Sequence, residues 1–282
     1  MVIGSIALLS LIIAAVICVC CGAFAGLAWL WVLPVSFLGA FLLQALAVFL
    51  VLLEACRRVD LSVPQEHDSK FYRFLAAIIL DAVPTVLQMR MHTEGLEKVP
   101  KQGRFLLVSN HINDMDPVTL LMYFNKYQLA FISKRENANM FIVGKLMHKL
   151  MCQMINREND REALKTILTC ISLIKEDEVS IGVFPEGYTS MDGLLRHFRH
   201  GVFKIALKAK VPIVVCTLQN TNRIFHNALR LRRTDVHLHV LDVIQPEDFA
   251  GKTSVELSEQ VYEMMAKDLG PDLVLQTQPE EP

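Results

Sequence analysis

No Asp, Glu, Lys or Arg occurs before Glu54. The 28 basic and 29 acidic residues all lie beyond that point, where they make up about a quarter of the chain, the share usual in a soluble domain. A charge-free head therefore precedes an ordinary globular body. There is no basic surplus either: the net charge is −1 and the pI near 6.8, which excludes the electrostatic footprint of a nucleic-acid binder. Nor is the chain short of apolar residues, and at 52% hydrophobic it buries too much for a disordered protein. Seven cysteines are an odd number without the spacing of a disulfide framework. Three of them, in the run Cys18-Val19-Cys20-Cys21, lack His or carboxylate neighbours and read as small interior-facing residues of an apolar helix rather than metal ligands. Internal repeats and low-complexity tracts are absent.

As one straight helix, residues 1–53 would extend ~80 Å, against a bilayer core of ~30 Å. Two spans are expected, from Val2 to Cys21 and from Leu33 to Leu53, with Gly22, Gly26, Trp29, Trp31 and Pro34 in the connection. The first residues carry no Lys or Arg and the apolar stretch exceeds a leader's h-region, so a retained helical hairpin is expected rather than a cleaved signal. Arg57 and Arg58 follow the second span, with Lys70 and Arg73 beyond. Positive residues beside a span stay on the cytoplasmic side, which predicts an integral, multi-pass membrane protein whose body faces the cytoplasm. Residues 1–56 form the hairpin on this reading and 57–91 a linker. Within it Lys70 to Met91, apolar but carrying Lys70, Arg73, Asp81 and Arg90 and broken near Pro84, predicts an interfacial amphipathic helix, with a core helix of the body as the alternative.

Residues 92–270 alternate strand-length apolar runs (104–109, 128–133, 152–155, 179–184, 212–218 and 236–244) with helical stretches (117–124, 139–150, 160–175, 201–208 and 254–268). This predicts an α/β body with a largely parallel sheet flanked by helices, ending in a frayed tail over 271–282. Ligands of such sheets gather beyond the carboxyl ends of the strands, and the polar clusters fall there.

The first cluster is Ser109-Asn110-His111-Ile112-Asn113-Asp114-Met115-Asp116-Pro117. Histidine suits proton abstraction near neutral pH, and a carboxylate on its far nitrogen fixes the tautomer. His111 and Asp116 are spaced to form such a dyad across a strand-to-helix turn. Asp116 before Pro117 also reads as a helix N-cap, and metal binding through His111, Asp114 and Asp116 is a third reading, without a second histidine pair to support it. The second cluster is Phe184-Pro185-Glu186-Gly187-Tyr188-Thr189-Ser190. Its glycine allows close backbone approach to a ligand, and Glu186 is a costly charge unless bonded.

Together, His-x4-Asp in NHINDMD and the later FPEG resemble the glycerolipid acyltransferase family typified by bacterial 1-acyl-glycerol-3-phosphate acyltransferases. The similarity runs from about Gly95 to Thr221, with Lys134 in ISKRENANMFIVGKL, then Ile155-Asn156-Arg157, Phe198-Arg199-His200-Gly201 and Val211-Pro212-Ile213-Val214-Val215 in family order. The resemblance implies a glycerol-3-phosphate acyltransferase-like fold, with His111 the general base and Asp116 its orienter. It implies Lys134, Arg157, Glu186, Gly187 and Thr189 around the acceptor and its phosphate, and Asn110 and Arg199 in support. It further implies membrane lipid and lysophosphatidic acid as partners, acyl-CoA or acyl-carrier protein as donor substrate, and neither metal nor cofactor. The chain departs from the family's FPEGTRS, because Tyr188 and Thr189 stand where Thr and Arg are expected. A phosphate-pairing guanidinium is missing, and Thr189 donates one neutral hydrogen bond. Either Arg196 or Arg199 compensates, or the acceptor is a different lysolipid. A lipid-binding protein without catalysis is the non-enzymatic alternative.

Overall fold

The computed structural model describes residues 2–156, 159–190 and 192–275 and divides into two units, Met1–Ser62 and Val63–Pro282. In the first, helix α1 (Val2–Cys20) and helix α2 (Trp29–Arg57) pack along one another. The turn between them uses Gly22 in the left-handed region, φ 66°. Only Ser10, Ala14 and Cys18 of α1 are buried, small residues four apart that let two apolar helices approach closely. Gln44 on α2 donates to Ser10 Oγ at 2.8 Å, and Ser10 in turn donates to the Ile6 carbonyl. Both helices are long and apolar enough to cross a bilayer.

Two expectations are corrected here. Trp29, Trp31 and Pro34 lie inside α2 rather than in the connection, because the helix continues to its last usable turn and Pro34 removes only one backbone donor. Of the cysteine run, Cys18 alone faces inward while Cys20 and Cys21 are exposed, since a helix presents only every third or fourth residue to one neighbour.

The second unit begins with helix α3 (Lys70–Val86), which runs through Pro84 and ends two residues later. Strand β1 (Met89–Glu94) follows, where the sequence predicts helix as far as Met91. The strand is short and polar, and its partner rather than its own pattern defines it. After it come β2 (Leu106–Ser109), α4 (Asp116–Phe124), β3 (Leu129–Lys134), α5 (Phe141–Lys149), β4 (Gln153–Ile155), α6 (Asp160–Lys175) and β5 (Ser180–Val183). Then follow α7 (Lys204–Ala209), β6 (Ile213–Gln219), the short α8 (Ile224–Ala228), β7 (Thr234–Ile244) and α9 (Ser254–Leu269). The strands form one sheet in the order β1-β7-β6-β2-β5-β3-β4. Every pairing is parallel except β6 with β7.

β2 and β5 are buried along their whole length, as expected of central parallel strands covered on both faces. On one face Leu106, Val108, Ile181 and Val183 pack with Ile171, Ile205 and Val261 of α6, α7 and α9. On the other, Phe105, Leu107 and Phe131 pack with Leu120 and Phe124 of α4.

Arg73, which the sequence suggests as a membrane-flanking cation, is instead buried in the body. It pairs with Asp68 at 2.9 Å and donates to the carbonyls of Leu129 and Leu150. With Leu75, Ala76 and Leu80 it forms the buried face of α3, whereas Phe71 and Phe74 on the other side are exposed. A buried guanidinium needs such partners to offset its desolvation.

Gly182 of β5 lies opposite Phe131 of β3, and a Cβ built on it would come within 2.5 Å of the Phe131 ring. That ring stacks on Phe184 at 5.5 Å. Gly182→Ala should therefore displace the Phe131 ring and lower stability by about 1–3 kcal/mol, the usual cost of overpacking. Thermal unfolding of the two proteins measures it.

Candidate active site

β2 and β5 are adjacent and parallel, so the turns that leave them emerge side by side at the carboxyl edge. The chain leaving β2 goes to β3 on one side, and the chain leaving β5 returns to β6 on the other, with α4 and α7 on opposite faces. A crevice at such a reversal is where open α/β sheets hold ligands. His111 follows β2 and Glu186 follows β5.

His111 Nδ1 lies 2.8 Å from Asp116 Oδ2. A carboxylate in this position only accepts, so Nδ1 carries the hydrogen and Nε2 of the neutral ring is the free base. The same Oδ2 accepts from the backbone N–H of Ile112 at 2.6 Å and of Asn113 at 2.8 Å. Asp116 is therefore not the N-cap that the Asp-Pro pair suggests: Met115 is the cap and Asp116 the first helical residue. Its carboxylate turns back into the loop instead of onto the helix. The Asp116 side chain is fully buried and that of His111 is 14% exposed, so one edge of the ring reaches solvent. The imidazole is stacked on Phe184 at 4.2 Å. Asp114 is exposed, and no cluster of three or more metal-ligating side chains occurs among the described residues.

Glu186 ties the two turns together. Oε1 accepts from the His111 N–H at 2.7 Å and Oε2 from the Arg196 N–H at 3.0 Å. Burial pushes its carboxyl up to about 8, and these two hydrogen bonds oppose the shift only in part. A further bond runs from the Ser190 N–H to the His111 carbonyl at 2.8 Å. Gly187 has φ +79° and lies beneath the Arg199 side chain, 2.9 Å from where a Cβ would stand. Only glycine meets both conditions without strain.

Thr189 Oγ1 is 3.1 Å from His111 Nε2, so its hydroxyl donates to the free base. The resemblance groups it with the phosphate ligands; the fold puts it against Nε2 of His111. Arg196 is committed to a two-pronged pair with Asp192 at 2.7 and 2.8 Å. Arg199 is exposed and has no side-chain partner among the described residues. Asn110 supports the site from behind: its side chain accepts from the Leu218 N–H at 2.7 Å and donates to the Leu218 carbonyl at 3.0 Å, fastening the end of β2 to β6. Lys134 is exposed at the end of β3, where it pairs in register with Ile155 of β4. Arg157 lies outside the described residues, two positions past Ile155.

Two residues of the site carry no motif of their own. Gly182 and Phe131 complete, with Phe184 of the FPEG turn, the floor under His111, and only the smallness of a strand-centre glycine hints at it.

The site is thus a buried histidine–carboxylate dyad at the carboxyl edge of a largely parallel α/β sheet, an arrangement able to take a proton from a hydroxyl. The family model described as Acyltransferase matches residues 90–219, and over that stretch the chain is similar to the glycerolipid acyltransferases. It is 30% identical over 159 residues to a 1-acyl-sn-glycerol-3-phosphate acyltransferase of Borreliella burgdorferi, covering 55% of this chain and 63% of that protein. A chloroplastic enzyme of the same name, BAT2 of Brassica napus, is 32% identical over 156 residues, or 55% of this chain and 44% of the relative. The chain thus spans less than two thirds of these relatives' length. In fold it is similar to the crystal structure of the 1-acyl-sn-glycerophosphate acyltransferase PlsC from Thermotoga maritima, with a TM-score of 0.57 at 22% identity, covering 71% of this chain and 82% of that one.

The raised Glu186 carboxyl makes the folded state hold a proton that the unfolded state releases near pH 4.5. Stability from this group is fully present below about 4.5 and falls as pH rises towards about 8. Glu186→Gln removes this titration, so its melting temperature should vary less than the wild type's across that window. Melting curves from acid to mildly alkaline pH read the difference.

Proposed function

We propose that the chain is a membrane-tethered O-acyltransferase. It moves a fatty acyl group from an acyl thioester to the sn-2 hydroxyl of 1-acyl-glycerol-3-phosphate, giving phosphatidic acid for phospholipid synthesis. One observation carries this reading: Asp116 fixes the hydrogen on Nδ1 of His111 and leaves Nε2 3.1 Å from a hydroxyl. The acceptor hydroxyl takes the place of the Thr189 hydroxyl and gives its proton to Nε2. Its oxygen attacks the thioester carbonyl, the C–S bond breaks, and the proton passes to the departing thiolate of coenzyme A or acyl-carrier protein. Base, acceptor and donor suffice for this step, and no metal or cofactor takes part in it. Proton removal by a placed base contributes roughly a hundred- to ten-thousand-fold in rate.

Lys134 and Arg157 bind the acceptor phosphate on this reading, as two cations suit a phosphomonoester. The hairpin tethers the body to the bilayer that holds acceptor and product. Arg57 and Arg58 keep the body on the cytoplasmic side, and the face of α3 with Phe71 and Phe74 rests on the membrane.

With acyl-CoA or acyl-carrier protein and a panel of lysolipids, the full chain should acylate lysophosphatidic acid best, and His111→Ala should lose at least about a hundredfold in kcat. Lys134→Ala and Arg157→Ala should raise the acceptor KM far more than the donor KM. Equal activity of His111→Ala would sink the catalytic assignment and favour a lipid-binding role. Preference for a lysolipid without a phosphomonoester would move the acceptor.

The Thr189 contact favours a second reading of the same chemistry. A hydroxyl on a histidine that is itself oriented by a carboxylate is the arrangement of an activated nucleophile. Thr189 Oγ would attack the thioester, its proton would pass through His111 to the thiolate, and the acceptor hydroxyl would then displace the acyl group from the threonine ester. Direct transfer predicts no mass change when the protein meets acyl-CoA alone, and activity in Thr189→Val. An adduct of one acyl group in intact-mass spectra, absent from Thr189→Val, would establish the covalent route instead.

A further inference from the structure

The segment from Arg223 to Arg233, RIFHNALRLRR, leaves the carboxyl edge of the sheet between β6 and β7. It comprises α8 and a turn in which Leu231 takes a left-handed φ of 53°. Leu229 and Leu231 are 88% and 81% exposed and Phe225 is 49% exposed. Arg223, Arg230, Arg232 and Arg233 are exposed as well, with no ion pair among the described residues. Single exposed leucines are ordinary. A projecting turn that sets bare apolar side chains among unpaired arginines is not, because the apolar half gains nothing from water and the cations are free to take an anion.

The segment is fixed at its base. Ile224 is fully buried and packs with Met115 of the His111 turn, with Met89 and Val236, and with Val83 and Leu87 at the end of α3. Val86, between those last two, is 67% exposed. The apolar projection is therefore held rigidly at the same edge of the sheet as His111, and the end of α3 extends it.

We propose that residues 223–233 are a membrane-docking finger for an anionic leaflet, separate from the hairpin. Phe225, Leu229 and Leu231 enter the headgroup–acyl boundary, and Arg223, Arg230, Arg232 and Arg233 bind lipid phosphates while their stems lie along the apolar surface. Charge complementarity selects the occupant. The segment carries no acidic residue, and its cations surround the apolar tips as a headgroup layer would require. The proposal deepens the membrane reading above and does not depend on the acyl-transfer step. Its consequence is that the edge bearing His111 is pressed to the surface where amphiphiles reside.

The chain has two tryptophans, both in α2, so the Trp29→Phe, Trp31→Phe full chain serves as a silent background. Leu229→Trp in that background, reconstituted in phosphatidylcholine vesicles containing brominated acyl chains with and without phosphatidylglycerol, should shift its emission to the blue and be quenched, more so with phosphatidylglycerol. Val255→Trp is the control. Val255 is exposed in the first turn of α9, outside the 223–233 segment and the end of α3, and should stay unquenched. Adding Arg230→Glu, Arg232→Glu and Arg233→Glu should remove the phosphatidylglycerol-dependent part of the Leu229→Trp signal. A chain that floats with the vesicles while Leu229→Trp is no more quenched than Val255→Trp overturns the finger and leaves the hairpin standing; it would mark the surface as a protein contact. Equal quenching in both lipids overturns the anionic selection. A chain that does not float overturns both membrane contacts.

Discussion

One oxygen, Oδ2 of Asp116, accepts from an imidazole N–H and two successive backbone N–H groups within 2.8 Å. The rest of the site depends on this convergence. It closes the turn after β2 tightly enough to aim His111 across the crevice, and it fixes which ring nitrogen is the base. Because the carboxylate is completely buried, water competes for none of these bonds. Glu186 repeats the device one strand away: its two oxygens take N–H groups from both sides of the crevice. Two buried carboxyl groups thus set the distance between the His111 turn and the FPEG turn. The ring between them rests on Phe184, which in turn rests on Phe131 over a glycine with no side chain to intrude.

The sheet order decides what else reaches this edge. The ends of β2 to β6 lie there, and so does the start of β7, because β7 runs antiparallel to β6. His111, Lys134 and the arginine-rich segment 223–233 are consequently presented on one side of the body.

Thr189 stands where the family pattern that the sequence resembles expects a guanidinium. In place of a guanidinium it offers a hydroxyl, and the hydroxyl lies on the catalytic nitrogen instead of towards a phosphate. The nearby arginines do not simply replace what is missing. Arg196 is held by Asp192, and Arg199 crosses Gly187.

Much was legible beforehand where the signal was local. The apolar head, six of the seven strands and the His111–Asp116 pairing follow from charge-free length, runs of buried-strand residues and a five-residue spacing. The signal failed where distant chain segments decide the outcome. β1 exists because β7 offers an unpaired edge. Arg73 was legible as a charge, but only the approach of Leu129 and Leu150 makes it an interior group. Asp116 before Pro117 looks like a cap because capping is a local habit, whereas the geometry of the preceding loop recruits its carboxylate. The sequence by itself determined an apolar head of two helices, an α/β body and the pairing of His111 with Asp116, since each rests on short-range pattern. Tertiary structure alone decided that Glu186 joins two turns, that Thr189 meets Nε2, and that an arginine-rich finger shares the edge with the base, since each needs residues brought together from strands far apart in the chain.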